Sequence, residues 1–364
     1  MRELGLEILN IINEYGYIGY IVGGYVRDSL LGIESNDIDI TTNATPMELK
    51  NIFPDIEIIN ATYGSVILYY KNSRFDITTF RKDLEYLDSR HPSEVVYVND
   101  LKTDLLRRDF TINTLCIDKD NHLIDLLNGK KDLDNKIIRT VMESNQSFED
   151  DALRILRAIR FASLLDFRIS DEVKEAIERN KHLLKKLSYE RKKSELDKIF
   201  CSNKAYEGIK LIKEFNLCKE LDLENLDKVK DYSDIIGIWA MINSKKYKFT
   251  KSEKELIKKI NIVYDLDNLD NHVLYKYGLY VNVLSGINKG IDKKDISEKY
   301  DMLPIKMKDE INITPKEICK LLNKKAGSFI GKIYHDLEEK ILDNKLINDR
   351  LKIEEYIIEE YKNK

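Results

Sequence analysis

The alternation of apolar and polar positions changes character near Ser147. Ahead of it, short strand-like runs are punctuated by glycine and asparagine. Behind it, apolar residues recur at helical spacing, as in Leu153, Leu156 and Ile159. Tyr17 to Val22 is an aromatic-rich apolar run ending at Gly23-Gly24, and Tyr25 to Leu31 fits a short helix closed by Gly32. Asp37 to Ile40 alternates acid and isoleucine with the period of a strand. Thr45-Pro46 predicts an N-cap and a first helical residue, with the helix running to about Phe53. Val66 to Tyr70 and Arg74 to Phe80 predict a hairpin turning around Asn72-Ser73. Leu115 to Asp118 and Leu123 to Leu126 predict a second, around Asp120-Asn121. Arg81 to Glu94, polar and charged, reads as a loop. The expected fold class is α+β in front, a mixed sheet with flanking helices, and all-α behind.

Composition narrows the function classes. With 43% hydrophobic and 34% charged residues over 364 positions, the chain can bury a core and is neither disordered nor fibrous. It has no apolar run of about 18 residues, the length a membrane helix needs, and the charged opening Met1-Arg2-Glu3 is unlike a signal peptide. Cys116, Cys201, Cys218 and Cys319 show no zinc spacing and no close pair, so reduced thiols in a cytoplasmic protein are expected. A net charge of −4 argues against a uniformly basic nucleic-acid binder and leaves a local basic groove open.

The chemistry starts at Asp37-Ile38-Asp39. On a strand, residues two apart point to one face, so the two carboxylates converge. At about 4 to 7 Å such a pair repels unless a cation lies between, and hard oxygen ligands suit magnesium, which keeps positions open for phosphate. Alone, so short a pattern describes a solvated strand edge better than a site. Gly23-Gly24 changes that, because glycines at a strand-to-helix junction let backbone N–H groups approach an anion. Arg27 adds a fork for phosphate oxygens, the bland alternative being an ion pair with Asp28. An anion cradle followed by a metal-binding acid pair describes a nucleotidyl-transfer site.

Gly23-Gly24-Tyr25-Val26-Arg27-Asp28 with Asp37 and Asp39 resembles the polymerase-β-type nucleotidyltransferase superfamily. More narrowly it is similar to class II tRNA nucleotidyltransferases and bacterial poly(A) polymerases. Arg107-Arg108-Asp109-Phe110-Thr111-Ile112-Asn113 resembles the second family signature, Asp150 to Phe161 the base-reading helix, and Tyr189-Glu190-Arg191 through Glu195-Leu196 the neck signature. Gly327 to Gly331 is similar to the start of the tail helix. The resemblance implies a catalytic head over 1–140, a helical neck with the base-reading helix over 141–200, a helical body over 201–290, and a tRNA-binding tail over 291–364. It implies Mg2+ on Asp37 and Asp39, with Asp76 on a neighbouring strand as a further catalytic carboxylate. Gly23, Gly24, Arg27, Arg108 and Asn113 would bind the nucleotide triphosphate.

Asp151 and Arg154, three apart on a predicted helix, would share a face. A carboxylate accepts and a guanidinium donates, which complements the amine and ring nitrogen of cytosine or adenine and leaves uracil and guanine unpaired. The resemblance assigns them base recognition, with Arg157 and Arg160 continuing the stripe. The chain has Asp150 where the family usually has Glu, and Ala152 where it usually has Pro. Tyr63-Gly64-Ser65-Val66 is similar to the tRNA-enzyme form of its strand, and Arg81 to Pro92, with Arg81, Asp88 and Arg90, resembles the flexible loop that serves the switch from C to A. The implied activity is addition of C, C and A to tRNA from CTP and ATP. An A-adding specialist is not separated by motif, and a CC-adding or poly(A)-polymerising enzyme ranks lower. A silent RNA-binding relative and a small-molecule nucleotidyltransferase are the rivals from other classes. His335-Asp336 has no matching upstream histidine cluster and is read as surface.

Overall fold

Most apolar strand residues of the first 80 positions are collected on one face of a sheet, while Val22 and Phe80 join a second cluster with Leu101, Leu105 and Cys116. In the computed structural model, which describes residues 1–84 and 95–362, the strands up to residue 124 are β1 (Gly19–Val22), β2 (Ile38–Thr42), β3 (Glu57–Asn60), β4 (Ser65–Tyr70), β5 (Ser73–Thr79), β6 (Arg81–Asp83), β7 (Val95–Tyr97), β8 (Cys116–Ile117) and β9 (Leu123–Ile124). Seven of them form one sheet, in the order β3-β4-β5-β2-β1-β8-β9. Its neighbours are antiparallel except β2 and β5, whose parallel register sets Asp39 opposite Asp76. Ile21, Ile38, Ile40, Val66, Leu68, Phe75 and Ile77 are buried. Each such side chain contributes about 1.5–3 kcal/mol on leaving water. Helix α1 (Arg2–Glu14) packs on β1 and β2, placing Ile8, Leu9 and Ile12 in this core.

The short helices follow their caps. Helix α2 (Gly24–Leu30) starts directly after β1. Helix α3 (Pro46–Ile52) has a capping box, with the Thr45 N–H donating to Glu48 Oε2 at 2.7 Å and the Glu48 N–H returning to Thr45 Oγ1 at 3.4 Å. The first hairpin turns on Lys71 and Asn72, both with positive φ, one residue earlier than the sequence pattern suggested. The expected loop from Arg81 begins instead as β6, paired antiparallel with β7. Asp88 and Arg90 lie outside the described residues.

Helices α4 (Leu101–Leu106), α5 (Gly129–Asp134), α6 (Ser144–Asp150), α7 (Leu153–Leu165), α8 (Asp171–Asn180), α9 (Tyr189–Phe200) and α10 (Ala205–Glu214) complete the first of two compact units, Met1–Leu221. Gly129 packs closely on the 3-10 turn Thr111–Asn113: a Cβ there would stand 2.3 Å from the Thr111 carbonyl oxygen. Gly129→Ala is therefore expected to cost about 1–3 kcal/mol, read as a lower urea midpoint.

The continuous base-reading helix expected across Asp150 to Phe161 is broken at Asp151, which has extended backbone angles (φ −146°, ψ 99°) between α6 and α7. Its carboxylate accepts from the Leu153 N–H at 3.1 Å, so it ends one helix and starts the next.

The second unit, Asp222–Lys364, is helical, with helices Ile235–Ile242, Lys251–Asp265, Asn271–Lys289, Lys293–Asp301, Pro315–Leu322, Phe329–Leu342 and Arg350–Ile357. The Lys/Ile-rich pattern resolves into a buried core containing Ile296, Ile318, Ile333, Leu337, Ile341, Ile353 and Ile357. Thr250 and Thr314 close capping boxes with Glu253 and Glu317. No helix among the described residues is long and apolar enough to cross a membrane.

Candidate active site

The turn from β1 into α2 depends on Gly23. It has φ 82°, and a Cβ there would lie 3.4 Å from Arg108 Nη1 and 3.6 Å from Asp39 Oδ2. One turn later Arg27 is 5% exposed. It donates from Nη1 to Asn113 Oδ1 at 2.6 Å and from Nε to Asp28 Oδ1 at 2.8 Å, so the ion pair with Asp28 is real but is only half of its bonding.

Asp109 organises the opposite wall. Its carboxylate accepts from Arg157 Nε at 2.7 Å, from Asn113 Nδ2 at 3.0 Å and from the Phe110 N–H at 2.8 Å. Burial pushes this carboxyl up, but the Arg157 charge and the three hydrogen bonds outweigh burial and bring it down to about 2. Arg160 pairs with Glu195 of α9 at 3.1 Å, and Glu195 also holds Lys198 at 2.9 Å. The Phe161 ring lies under three guanidinium groups, Arg27 at 4.8 Å, Arg157 at 5.3 Å and Arg160 at 4.5 Å from its centroid. Arg108 Nε is buried without a hydrogen-bond partner among the described residues. Arg27, Arg108, Asp109, Asn113, Arg157, Arg160, Phe161 and Lys198 line a cleft of about 340 Å³ that also includes Gly23, Gly24, Asp37 and Asp39. Several guanidinium groups lining one cleft suit a polyanion such as a phosphate chain.

At the edge of the cleft, Asp37, Asp39 and Asp76 bring carboxylate oxygens within 4.8 Å of one another. Asp39 is pushed up to about 6, first by burial and then by Asp37 and Asp76, against the opposing pull of Arg108. Three hard oxygen donors that repel one another fit a divalent cation. Asp76 meanwhile accepts from Arg74 Nη2 at 2.9 Å on Oδ1 and 3.1 Å on Oδ2, and from Arg74 Nε at 3.2 Å.

Comparison with known proteins decides the family. A family model for the poly(A) polymerase head domain matches residues 19–139, one for an RNA and SrmB-binding site of polymerase A matches 166–225, and one for a tRNA nucleotidyltransferase domain 2 matches 242–357. The CCA-adding enzyme of Lactococcus lactis subsp. cremoris is 35% identical, over 95% of this chain and 93% of its own length. That of Bacillus subtilis is 33% identical, over 97% and 96%. The chain belongs to the CCA-adding enzyme family. The crystal structure of the Bacillus stearothermophilus CCA-adding enzyme in complex with CTP superposes with a TM-score of 0.80 at 26% identity, covering 99% of this chain and 98% of that one.

Measured against what the resemblance to this family implied, the cleft gathers Gly23, Gly24, Arg27, Asp37, Asp39, Arg108, Asn113, Arg157 and Arg160, with Asp76 beside the acid pair. Asp151 and Arg154 are not among its lining residues. They do not pair with each other on one helix face: Asp151 accepts from Arg191 at 3.0 Å, and Arg154 is buried, donating to Ser147 Oγ and the Arg107 carbonyl, both at 2.8 Å. Arg81 lies apart, ion-paired with Asp83 and donating to the Tyr63 carbonyl. Sequence reasoning missed Asp109, Phe161, Glu195 and Lys198. Asp109, Phe161 and Glu195 all stood inside quoted motifs without a role, and Phe161 follows Arg157 by one helical turn, which was the available signal.

Proposed function

We propose that the protein is a tRNA nucleotidyltransferase that adds C, C and A to the tRNA 3′ end, using CTP and ATP and releasing pyrophosphate. The observation that supports this most directly is the arginine-walled cleft beside three converging carboxylates, in a chain aligned from end to end with CCA-adding enzymes. In this reading Asp37 and Asp39 hold Mg2+, with Asp76 beside them. The metal would supply Lewis-acid activation of the 3′-hydroxyl and neutralise charge on the triphosphate. Gly23 and Gly24 let the backbone approach the phosphates, and Arg27, Arg108 and Asn113 hold them while the terminal 3′-oxygen attacks the α-phosphorus. Arg157 and Arg160, tethered by Asp109 and Glu195, keep the wall positive as charge builds on pyrophosphate.

Base choice rests with Asp151 and Arg154, which must exchange Arg191, Ser147 and the Arg107 carbonyl for the edge of cytosine or adenine. The division into head (1–140), neck (141–200), body (201–290) and tail (291–364) assigns grip on the acceptor arm and elbow to the later segments, by backbone and shape. The location is the cytoplasm.

The test is extension of a tRNA transcript ending at its discriminator base, with Mg2+ and CTP, ATP or both, resolved on a sequencing gel. Three nucleotides with both substrates, and then a stop, is the expected product. Addition of A alone to a tRNA ending in CC would identify an A-adding specialist, long A tails a poly(A) polymerase, and no product a silent binder.

A further inference from the structure

The carboxylate cluster faces two clefts. Besides the arginine-walled one, a cleft of about 550 Å³ is lined by Met1, Asn36, Asp37, Ser73, Arg74 and Asp76, so Asp37 belongs to both. The strand register extends this second cleft across the sheet: Ile67 is opposite Asp76 and Tyr69 opposite Arg74. Because side chains alternate, these four share the face away from the buried Val66, Leu68, Phe75 and Ile77. Tyr69 is 61% exposed and the Arg74 side chain 56%. A phenol ring and a guanidinium thus stand side by side on an open strand pair, continuous with the acids.

We propose that this face holds the single-stranded 3′ end of the tRNA that accepts the nucleotide, with Tyr69 stacking on a base near the terminus and Arg74 meeting a neighbouring phosphodiester. The proposal rests on the nucleotidyl-transfer reading above. In-line displacement sets the attacking hydroxyl opposite the departing pyrophosphate. With the triphosphate in the arginine-walled cleft, the hydroxyl arrives from the other side of the carboxylates, where the second cleft opens. An RNA end approaching three carboxylates is repelled; Arg74, which pairs with Asp76 at 2.9 Å and so offsets one of them, is the cationic side chain lining that approach among the described residues. Stacking on an aromatic ring tolerates any base, which suits a terminus whose last base changes with each addition.

Steady-state addition of A to a tRNA ending in CC, varying tRNA and ATP separately, tests the proposal. Tyr69→Ala is expected to raise KM for the tRNA roughly tenfold and leave KM for ATP unchanged, while Tyr69→Phe retains the original values. An unchanged KM for the tRNA, an equal rise for ATP, or a Phe variant as weak as the Ala variant would overturn it. Fluorescence anisotropy adds a readout independent of turnover. Tyr69→Ala should weaken binding of the CC-ended tRNA but not of the same tRNA trimmed to its last acceptor base pair, and equal effects on both, or none, would sink the idea. Arg74→Ala should reduce the salt slope for the CC-ended tRNA alone, by about 0.7. If the unsubstituted protein extends no tRNA, the functional reading fails, and the anisotropy pair still decides the platform.

Discussion

Exchange of Asp39 for asparagine is expected to lower the turnover number for nucleotide addition by about a thousandfold or more, and at the same time to raise the melting temperature of the metal-free protein at pH 7. The two effects have one cause. Asp39 sits opposite Asp76 and close to Asp37, in a setting that favours the neutral acid. A cation among these oxygens is worth several kcal/mol to the transition state, and about 1.4 kcal/mol is a factor of ten, so a neutral amide forfeits most of that gain. The stability effect has the opposite sign. The folded carboxyl titrates at about 6, above its ordinary 3.8, so its contribution to stability falls as pH rises from about 4 to about 6 and stays lost above. Asparagine removes that penalty, so the difference in melting temperature should be present at pH 7 and vanish near pH 4. Metal titration gives the complementary result. Below pH 6 the ion must displace a proton from Asp39, and apparent affinity should fall about tenfold per pH unit. An Asp39→Asn protein that melts lower than the unsubstituted one in metal-free buffer at pH 7 would contradict this account.

What was legible in the sequence was what is local. The junction at Gly23, the acid–isoleucine alternation and the N-cap at Thr45 need only neighbours a few residues away; the first and last lie where the pattern put them, and the strand starts one residue later than expected, at Ile38, so that Asp37 precedes it. The arginine-walled cleft was legible as a set of motifs and not as a network. The pairing of Asp109 with Arg157 spans 48 residues, and Arg160 meets Glu195 from a separate helix. No periodicity carries such pairings; the first arises where the segment after α4 meets α7, the second where α7 packs on α9. The break at Asp151 was hidden for a related reason. Helical spacing of apolar residues continues through it, while the Asp151 carboxylate turns to the Leu153 N–H and to Arg191, forty residues on. Arg154 follows it away from its expected partner, into contact with Ser147 and the Arg107 carbonyl.

Asp109 is the residue whose loss this network predicts to be most damaging to the folded cleft. Asp109→Ala is expected to lower the unfolding free energy by about 3–5 kcal/mol and to weaken CTP binding at least about tenfold. The acid is nearly buried, and its removal leaves the Arg157 guanidinium beside Arg27, Arg160 and the Phe161 ring without its direct ion-pair partner, with only the charges of Glu195 and Asp151 to offset it. The loss then propagates along a chain of single contacts. Asn113 Nδ2 loses its acceptor, and Asn113 Oδ1 is, with Asp28, one of the two acceptors that fix Arg27 beside Gly23. The pH dependence follows from the depressed titration near 2: the stabilisation is complete above the ordinary value of 3.8 and is lost as pH falls through about 2. The variant should therefore show a flatter acid limb than the unsubstituted protein. Urea unfolding of Asp109→Ala, Arg157→Ala and the double variant tests the network directly. If the guanidinium left alone is the source of the cost, the double variant loses much less than the sum of the two single changes; strict additivity would mean that the pair is not coupled and that the cleft is held by other contacts.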